Sequence, residues 1–212
     1  MIGQPAPDFT LPAVHREGQV SLSDYRGKPL LLAIFAGLYC PFCRRNIAQL
    51  GSTQEKLRDM GVETLGVVAT EVDNARLYFK YRPARVPLVA DPELTTHRAY
   101  ALPRVPMDEA LQKALQTVPV DPLGNLPEPM PLAQLGPMLD RVDGFHHTPV
   151  DLRDMERQFP QLKGQFLIDA DGIVRWANVE CSNEGITGVG KFPSDDELLA
   201  AAGVSRRCPD SA

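Results

Sequence analysis

Cysteine is scarce in this chain: four residues among 212, at positions 40, 43, 181 and 208. That is too few for a disulfide-built scaffold of this length. In a reducing compartment a close pair such as 40/43 points to catalysis, redox sensing or metal binding. No apolar run reaches the roughly 18 residues that would span a membrane, so no membrane association is expected. Basic residues are not in excess. Lys and Arg total 22 against 27 Asp and Glu, a net charge of −5, which leaves no electrostatic footprint for nucleic acid. The opening Met1-Ile2-Gly3-Gln4-Pro5 lacks a charged segment followed by an apolar stretch. The expectation is therefore no secretory signal and a cytoplasmic setting. Nucleotide-binding glycine motifs, haem motifs and flavin signatures are also missing, so no bound cofactor and no metal are expected. There is no internal repeat.

Proline, by contrast, is plentiful: 20 residues, half of them between Pro103 and Pro160. On either side of that stretch the pattern is regular. Leu30 to Phe35 is a continuous apolar run whose length suits a buried parallel strand. From Arg44 onward, Ile47, Leu50, Leu57 and Met60 share one helical face, and Gly61 is placed to end the helix. Val62–Ala69 reads as a second buried strand. Asp73–Tyr81 reads as a helix capped by Asp73. Val86–Ala90 is strand-like, and Pro92–Ala101 is expected to be helical. This alternation predicts an α/β sheet.

Residues 102–160 break the alternation. Only Met107–Thr117 and Val150–Gln158 look helical there, because proline is costly inside regular elements. The apolar residues that remain, such as Leu132, Leu135 and Leu139, argue for an insertion packed over the core rather than a flexible linker. Regularity returns at Gln165–Asp169. Ala170-Asp171-Gly172 is a hairpin signal, Ile173–Val179 the returning strand, and Asp195–Ala202 a closing helix capped by Ser194. The expectation is one domain over 1–212. It is a thioredoxin-type α/β fold with a central mixed sheet, flanking helices and a proline-rich insertion at 102–160.

Cys40-Pro41-Phe42-Cys43 falls between the first buried strand and the first amphipathic helix. A thiol at a helix N-terminus meets unpaired N–H groups and the positive end of the helix dipole, both of which favour its thiolate. Such a cysteine can fall from about 8.5 to between about 3.5 and 7.5 in pKa. Cys40 is thus the expected nucleophile, and Cys43, one turn further in, the resolving thiol. Pro41 suits the first helical turn. Arg44 and Arg45 are candidates for added positive charge. A competing use of the pair is half a zinc site, but no second CxxC or CxxH accompanies it.

Several blocks then resemble one family. Gly3-Gln4-Pro5-Ala6-Pro7-Asp8-Phe9-Thr10-Leu11 with Val20-Ser21-Leu22-Ser23-Asp24-Tyr25-Arg26-Gly27-Lys28-Pro29 is similar to the opening of the alkyl hydroperoxide reductase/thiol-specific antioxidant family, the peroxiredoxins and their relatives. Val86-Pro87-Leu88-Val89-Ala90-Asp91-Pro92 with Arg98-Ala99-Tyr100 resembles its mid-section, and Phe166 to Arg175 its hairpin. The resemblance implies a thiol-dependent antioxidant or redox enzyme. It also departs from the family. A peroxidatic cysteine there follows a Pro-x-x-x-Thr/Ser-x-x-Cys pattern, and neither cysteine of the pair restores it. With Cys40 in that place, Ala33 and Gly37 occupy the proline and hydroxyl positions. The family's later arginine falls at Lys163, which keeps the charge and loses the planar fork. Thioredoxin-like reductases carry a cis-proline near that point, and the nearest proline here is Pro160. Lys163 is accordingly expected to approach the Cys40 sulfur and favour the thiolate.

The preferred reading is a thiol–disulfide oxidoreductase using the Cys40/Cys43 couple. The alternative keeps the residues and makes the electrophile a hydroperoxide, with Cys40 passing through a sulfenic acid. A third is a non-catalytic zinc-binding or interaction module. The implied partners are a thiol reductant of thioredoxin or glutathione type and a disulfide or hydroperoxide substrate. The family also has dimeric members with a resolving cysteine in the tail, which makes a homodimer possible and Cys208 an alternative resolving thiol. Cys181, His146, His147 and Trp176 read as packing or loop residues.

Overall fold

The computed structural model describes residues 1–205. In chain order the elements are β1 (Thr10–Pro12), β2 (Gln19–Ser21), β3 (Leu30–Phe35), α1 (Pro41–Asp59), β4 (Glu63–Val68), α2 (Val72–Tyr81), β5 (Leu88–Ala90) and α3 (Thr95–Ala99). Then come α4 (Glu109–Thr117), β6 (Pro119–Val120), β7 (Met130–Pro131), α5 (Leu132–Val142), α6 (Pro149–Gln158), β8 (Gly164–Ile168), β9 (Val174–Val179) and α7 (Asp195–Ser205). The central sheet has the order β5-β4-β3-β8-β9. β3, β4 and β5 run parallel, β8 is antiparallel to β3, and β9 pairs antiparallel with β8. This is the mixed sheet expected of the thioredoxin-type fold.

The apolar run of β3 follows from its central place, because both of its faces are covered. Leu31, Ala33 and Phe35 pack with Ile47, Leu50 and Leu57 of α1 and with Leu198 and Ala202 of α7. Leu30, Leu32 and Ile34 pack on the opposite face with Leu65, Val67, Tyr100 and Phe166. Side chains alternate across a strand, so one hexapeptide serves two core layers. Fully burying one such aliphatic side chain contributes about 1.5–3 kcal/mol, so β3 alone anchors the segment that leads into the Cys40 loop.

Three sequence-based expectations need correction. The α2 helix opens at Val72 after Glu71, with no side-chain cap, and Asp73 instead lies 3.7 Å from Arg76 on the helix surface. The helix expected over Pro92–Ala101 is confined to Thr95–Ala99. The Asp91 carboxylate accepts the N–H groups of Thr95 and Thr96 at 3.1 and 2.8 Å and so sets where it starts. The insertion is also more regular than its prolines suggest: it holds the β6/β7 hairpin and the 11-residue helix α5, which runs through Pro137. Pro137 removes one helical N–H, yet Leu135 and Leu139 of α5 bury against Val120 and Phe42, and that packing outweighs the lost bond.

Candidate active site

Cys40 is the N-cap of α1, with extended backbone angles of φ −84° and ψ 112°, and Pro41 occupies the first helical turn. The Cys43 N–H donates to Cys40 Sγ at 3.4 Å. Both thiols are free. Cys40 is half-buried and Cys43 is 1% exposed, so an incoming electrophile meets Cys40 first. The Cys43 side chain, hydrogen-bonded to Cys40, holds the Cys40 thiol below its ordinary range. Burial opposes this, the Lys163 charge and the Cys43 N–H reinforce it, and Glu180 opposes it. The same side-chain hydrogen bond, with burial, pushes Cys43 well up. The pair is therefore split into one thiol that ionises more readily and one that ionises less readily, an asymmetry that environment alone can impose on identical side chains.

Lys163 sits under this pair with only 1% of its surface exposed. Its Nζ donates to Asn46 Oδ1 at 3.2 Å and lies 3.2 Å from Glu180 Oε1. Burial works to lower the ammonium, and Glu180 followed by the two thiols outweighs it and raises it. Glu180 is fixed from several sides. Its Oε2 accepts the Lys163 N–H at 3.1 Å and its Oε1 the Gly190 N–H at 2.6 Å. Gly190 has φ +80°, and a Cβ there would come within 2.8 Å of the Phe42 ring, so only glycine lets this loop close over the motif.

Arg44 and Arg45 face the insertion. Arg44 Nη1 donates to Leu38 O at 2.7 Å, its Nη2 lies 2.5 Å from Asp140, and its guanidinium stacks 3.6 Å from the centre of the Phe145 ring. Arg45 pairs with Asp143 at 2.5 Å. These charges are committed to Asp140 and Asp143 and fasten α1 to the end of α5; the expectation that they support the Cys40 thiolate is replaced by a structural role.

The insertion forms a wall over the thiol. Gln158 Nε2 donates to Ala69 O at 2.8 Å, and Asp154 accepts from the Thr70 hydroxyl at 2.6 Å, so α6 is pinned to the end of β4. It leads into a cis Phe159–Pro160 peptide. Phe159 and Pro160 line a groove of about 500 Å³ together with Cys40, Phe42, Leu132 and Met155. Pro160 is thus the cis-proline beside the motif, three residues before Lys163.

The other candidates fall elsewhere. Cys181, with φ +63° and its thiol pushed up to about 12 mainly by burial, lines a separate recess with Trp176 and Phe192. His147 bonds Asp140 at 3.0 Å. Cys208 lies outside the described residues. Among the described residues no group of three or more His, Cys, Asp or Glu is gathered where it could hold a metal ion. Sequence reasoning did not find Glu180, Asn46 or the groove. The observed pairing explains the place of Glu180: Gly164 pairs with Val179, and one step beyond that pair stand Lys163 and Glu180.

The model of the AhpC/TSA family matches residues 2–129. Peroxiredoxin-2 of Cricetulus griseus is 34% identical over 99 residues, 42% of this chain and 50% of that protein. The thiol:disulfide interchange protein DsbE of Pseudomonas fluorescens biotype C is 39% identical over 67 residues, 32% of this chain and 35% of that one. The chain thus spans half or less of the length of these curated relatives. Among solved structures, the reduced 2-Cys peroxiredoxin of Plasmodium vivax matches with a TM-score of 0.61 and 17% identity, covering 97% of this chain and 96% of that one; this likeness is one of fold. On these grounds the chain belongs to the AhpC/TSA family.

Proposed function

We propose that the protein is a thiol–disulfide oxidoreductase whose working group is the Cys40/Cys43 dithiol. One observation carries the reading: an accessible thiol of lowered pKa stands at a helix N-terminus, one turn from a buried thiol of raised pKa. The Cys40 thiolate attacks one sulfur of a substrate disulfide. The substrate S–S bond breaks, one thiolate leaves, and a mixed disulfide joins Cys40 to the other half. Cys43 then gives up its proton and attacks the Cys40 sulfur. The Cys40–Cys43 disulfide closes and the second half leaves as a thiolate. The protein loses two electrons and the substrate gains them, with protons going to the departing thiolates. Lys163 favours both thiolate states by its charge. A thiol donor then reduces this bond and restores the dithiol.

The second reading, reduction of a hydroperoxide through a Cys40 sulfenic acid and condensation with Cys43 to release water, is favoured by the family and by relatives named peroxiredoxin. Against it, the Lys163 ammonium is already matched by Glu180 and Asn46, and Gly37 offers no hydroxyl. The test is Cys43→Ser treated with hydroxyethyl disulfide. A stable mixed disulfide on Cys40, identified by peptide mass spectrometry, is expected, with a Cys40–Cys43 bond in the unaltered protein. Modification spread over other cysteines, with Cys40 spared, would sink the reading.

A further inference from the structure

We infer that the groove beside Cys40 makes the enzyme selective for uncharged, low-molecular-weight disulfides with apolar substituents. This rests on the dithiol reading above and names its substrate class. The first support is the wall. Leu115 of α4, Leu132 and Pro137 of α5, Met155 of α6, Phe159 and Val189 surround a space of about 500 Å³ that opens on Cys40. That is the size of a site for one small organic molecule.

The second support is charge. No lysine or arginine is among the described residues lining the groove. Its two carboxylates already have cations outside the lining: Asp140 lies 2.5 Å from Arg44, and Glu180 lies 3.2 Å from Lys163. The one other basic side chain in the lining, His147, is engaged by Asp140 at 3.0 Å. The carboxylates of a substrate such as oxidised glutathione would therefore be desolvated here with no free lysine or arginine to meet them, whereas an apolar substituent gives up nothing on entry.

The third support is backbone pairing. An extended peptide gains affinity by adding its main chain to a free strand edge. The segment beside Pro160 is already occupied: the Val105 N–H donates to Pro160 O at 3.3 Å, the Leu162 N–H to Pro103 O at 3.0 Å, and Arg104 bridges Gln161. The insertion has taken the edge that a chain would use, which leaves room for a compact molecule.

The experiment compares the rate of Cys40–Cys43 closure in the reduced protein with dibenzyl disulfide, hydroxyethyl disulfide and oxidised glutathione. Even one methylene in an apolar pocket discriminates by about tenfold or more, so dibenzyl disulfide is expected to react at least about tenfold faster than either of the others. Gly136 lines the groove, and a Cβ there meets nothing within 4 Å. Gly136→Leu therefore places a side chain in the groove, and the ratio of the dibenzyl to the hydroxyethyl rate is expected to fall towards one. Ala133→Leu, on the same wall, gives an independent version. Because the readout is a ratio, a general loss of activity does not imitate the result. Similar rates for all three disulfides, or a ratio that neither substitution changes, would overturn the groove's role and leave the dithiol chemistry standing. Failure of every disulfide to close the bond would overturn both.

Discussion

Lys163 and Glu180 face each other across the start of the β8/β9 hairpin, Nζ to Oε1 at 3.2 Å, with 2% and 7% of their side chains exposed. The pair is held on both strands by backbone as well as side chain, since the Glu180 N–H donates to Lys163 O at 3.0 Å. A buried ion pair is weak evidence of net stabilisation, but removing one partner leaves a charge with nothing to offset its desolvation. Here that arrangement holds a positive charge next to two thiols in a place where no mobile ion can substitute for it.

Lys163→Met should therefore do two things. It should move the pH profile of Cys40 alkylation by iodoacetamide to higher pH, because the Lys163 charge lowers the thiol while Glu180 raises it. It should also cost about 3–5 kcal/mol of stability in urea unfolding, the range for a broken buried pair. Adding Glu180→Gln should restore most of the stability. An unchanged alkylation profile would mean that Lys163 is structural only.

Arg44 links α1 to α5 through Leu38 O, Asp140 and the Phe145 ring, and is 5% exposed. Arg44→Met should destabilise towards the lower end of about 3–5 kcal/mol, since Asp140 keeps His147 and some solvent. Limited proteolysis should then cut first within 102–160. Arg44→Lys should not rescue it, because one ammonium lacks the planar fork that reaches both oxygens. Equal protease resistance in all three proteins would contradict the clamp.

His97 is buried, and neither ring nitrogen has a hydrogen-bond partner among the described residues. Burial is the main reason its pKa falls to about 4. The folded state holds it neutral while the unfolded chain takes up a proton near 6.5. The stabilising contribution is thus complete above about pH 6.5 and is lost as pH falls towards 4. At 1.36 kcal/mol per unit the loss is about 3 kcal/mol. His97→Leu should flatten the pH dependence of stability in that window, as read by urea midpoints. A slope left intact would assign it to other groups.

Much of this was legible in the sequence. The strand–helix alternation, the Asp171-Gly172 turn and the thiol pair each depend on short-range patterns, and each lies where those patterns place it. Helix α5 was not, because Pro137 and Gly136 argue locally against a helix that contacts with Phe42 and Val120 sustain. Glu180 was hidden for a related reason. The hairpin register shifts between Leu167 and Ile168, so counting back from the turn places Lys163 opposite Val179. A one-residue slip reverses the face of every side chain beyond it. The groove depends on the insertion folding back over α1, and no spacing within the sequence encodes that contact.

The most direct test of the central claim is a stopped-flow comparison of the fully reduced protein mixed with a dialkyl disulfide or with hydrogen peroxide, with thiol state followed by mass spectrometry. The account predicts rapid formation of the Cys40–Cys43 disulfide with the dialkyl disulfide, and peroxide oxidation no faster than that of a free thiol of similar pKa. Rapid peroxide oxidation of Cys40 together with slow disulfide exchange would contradict it and make the protein a thiol peroxidase.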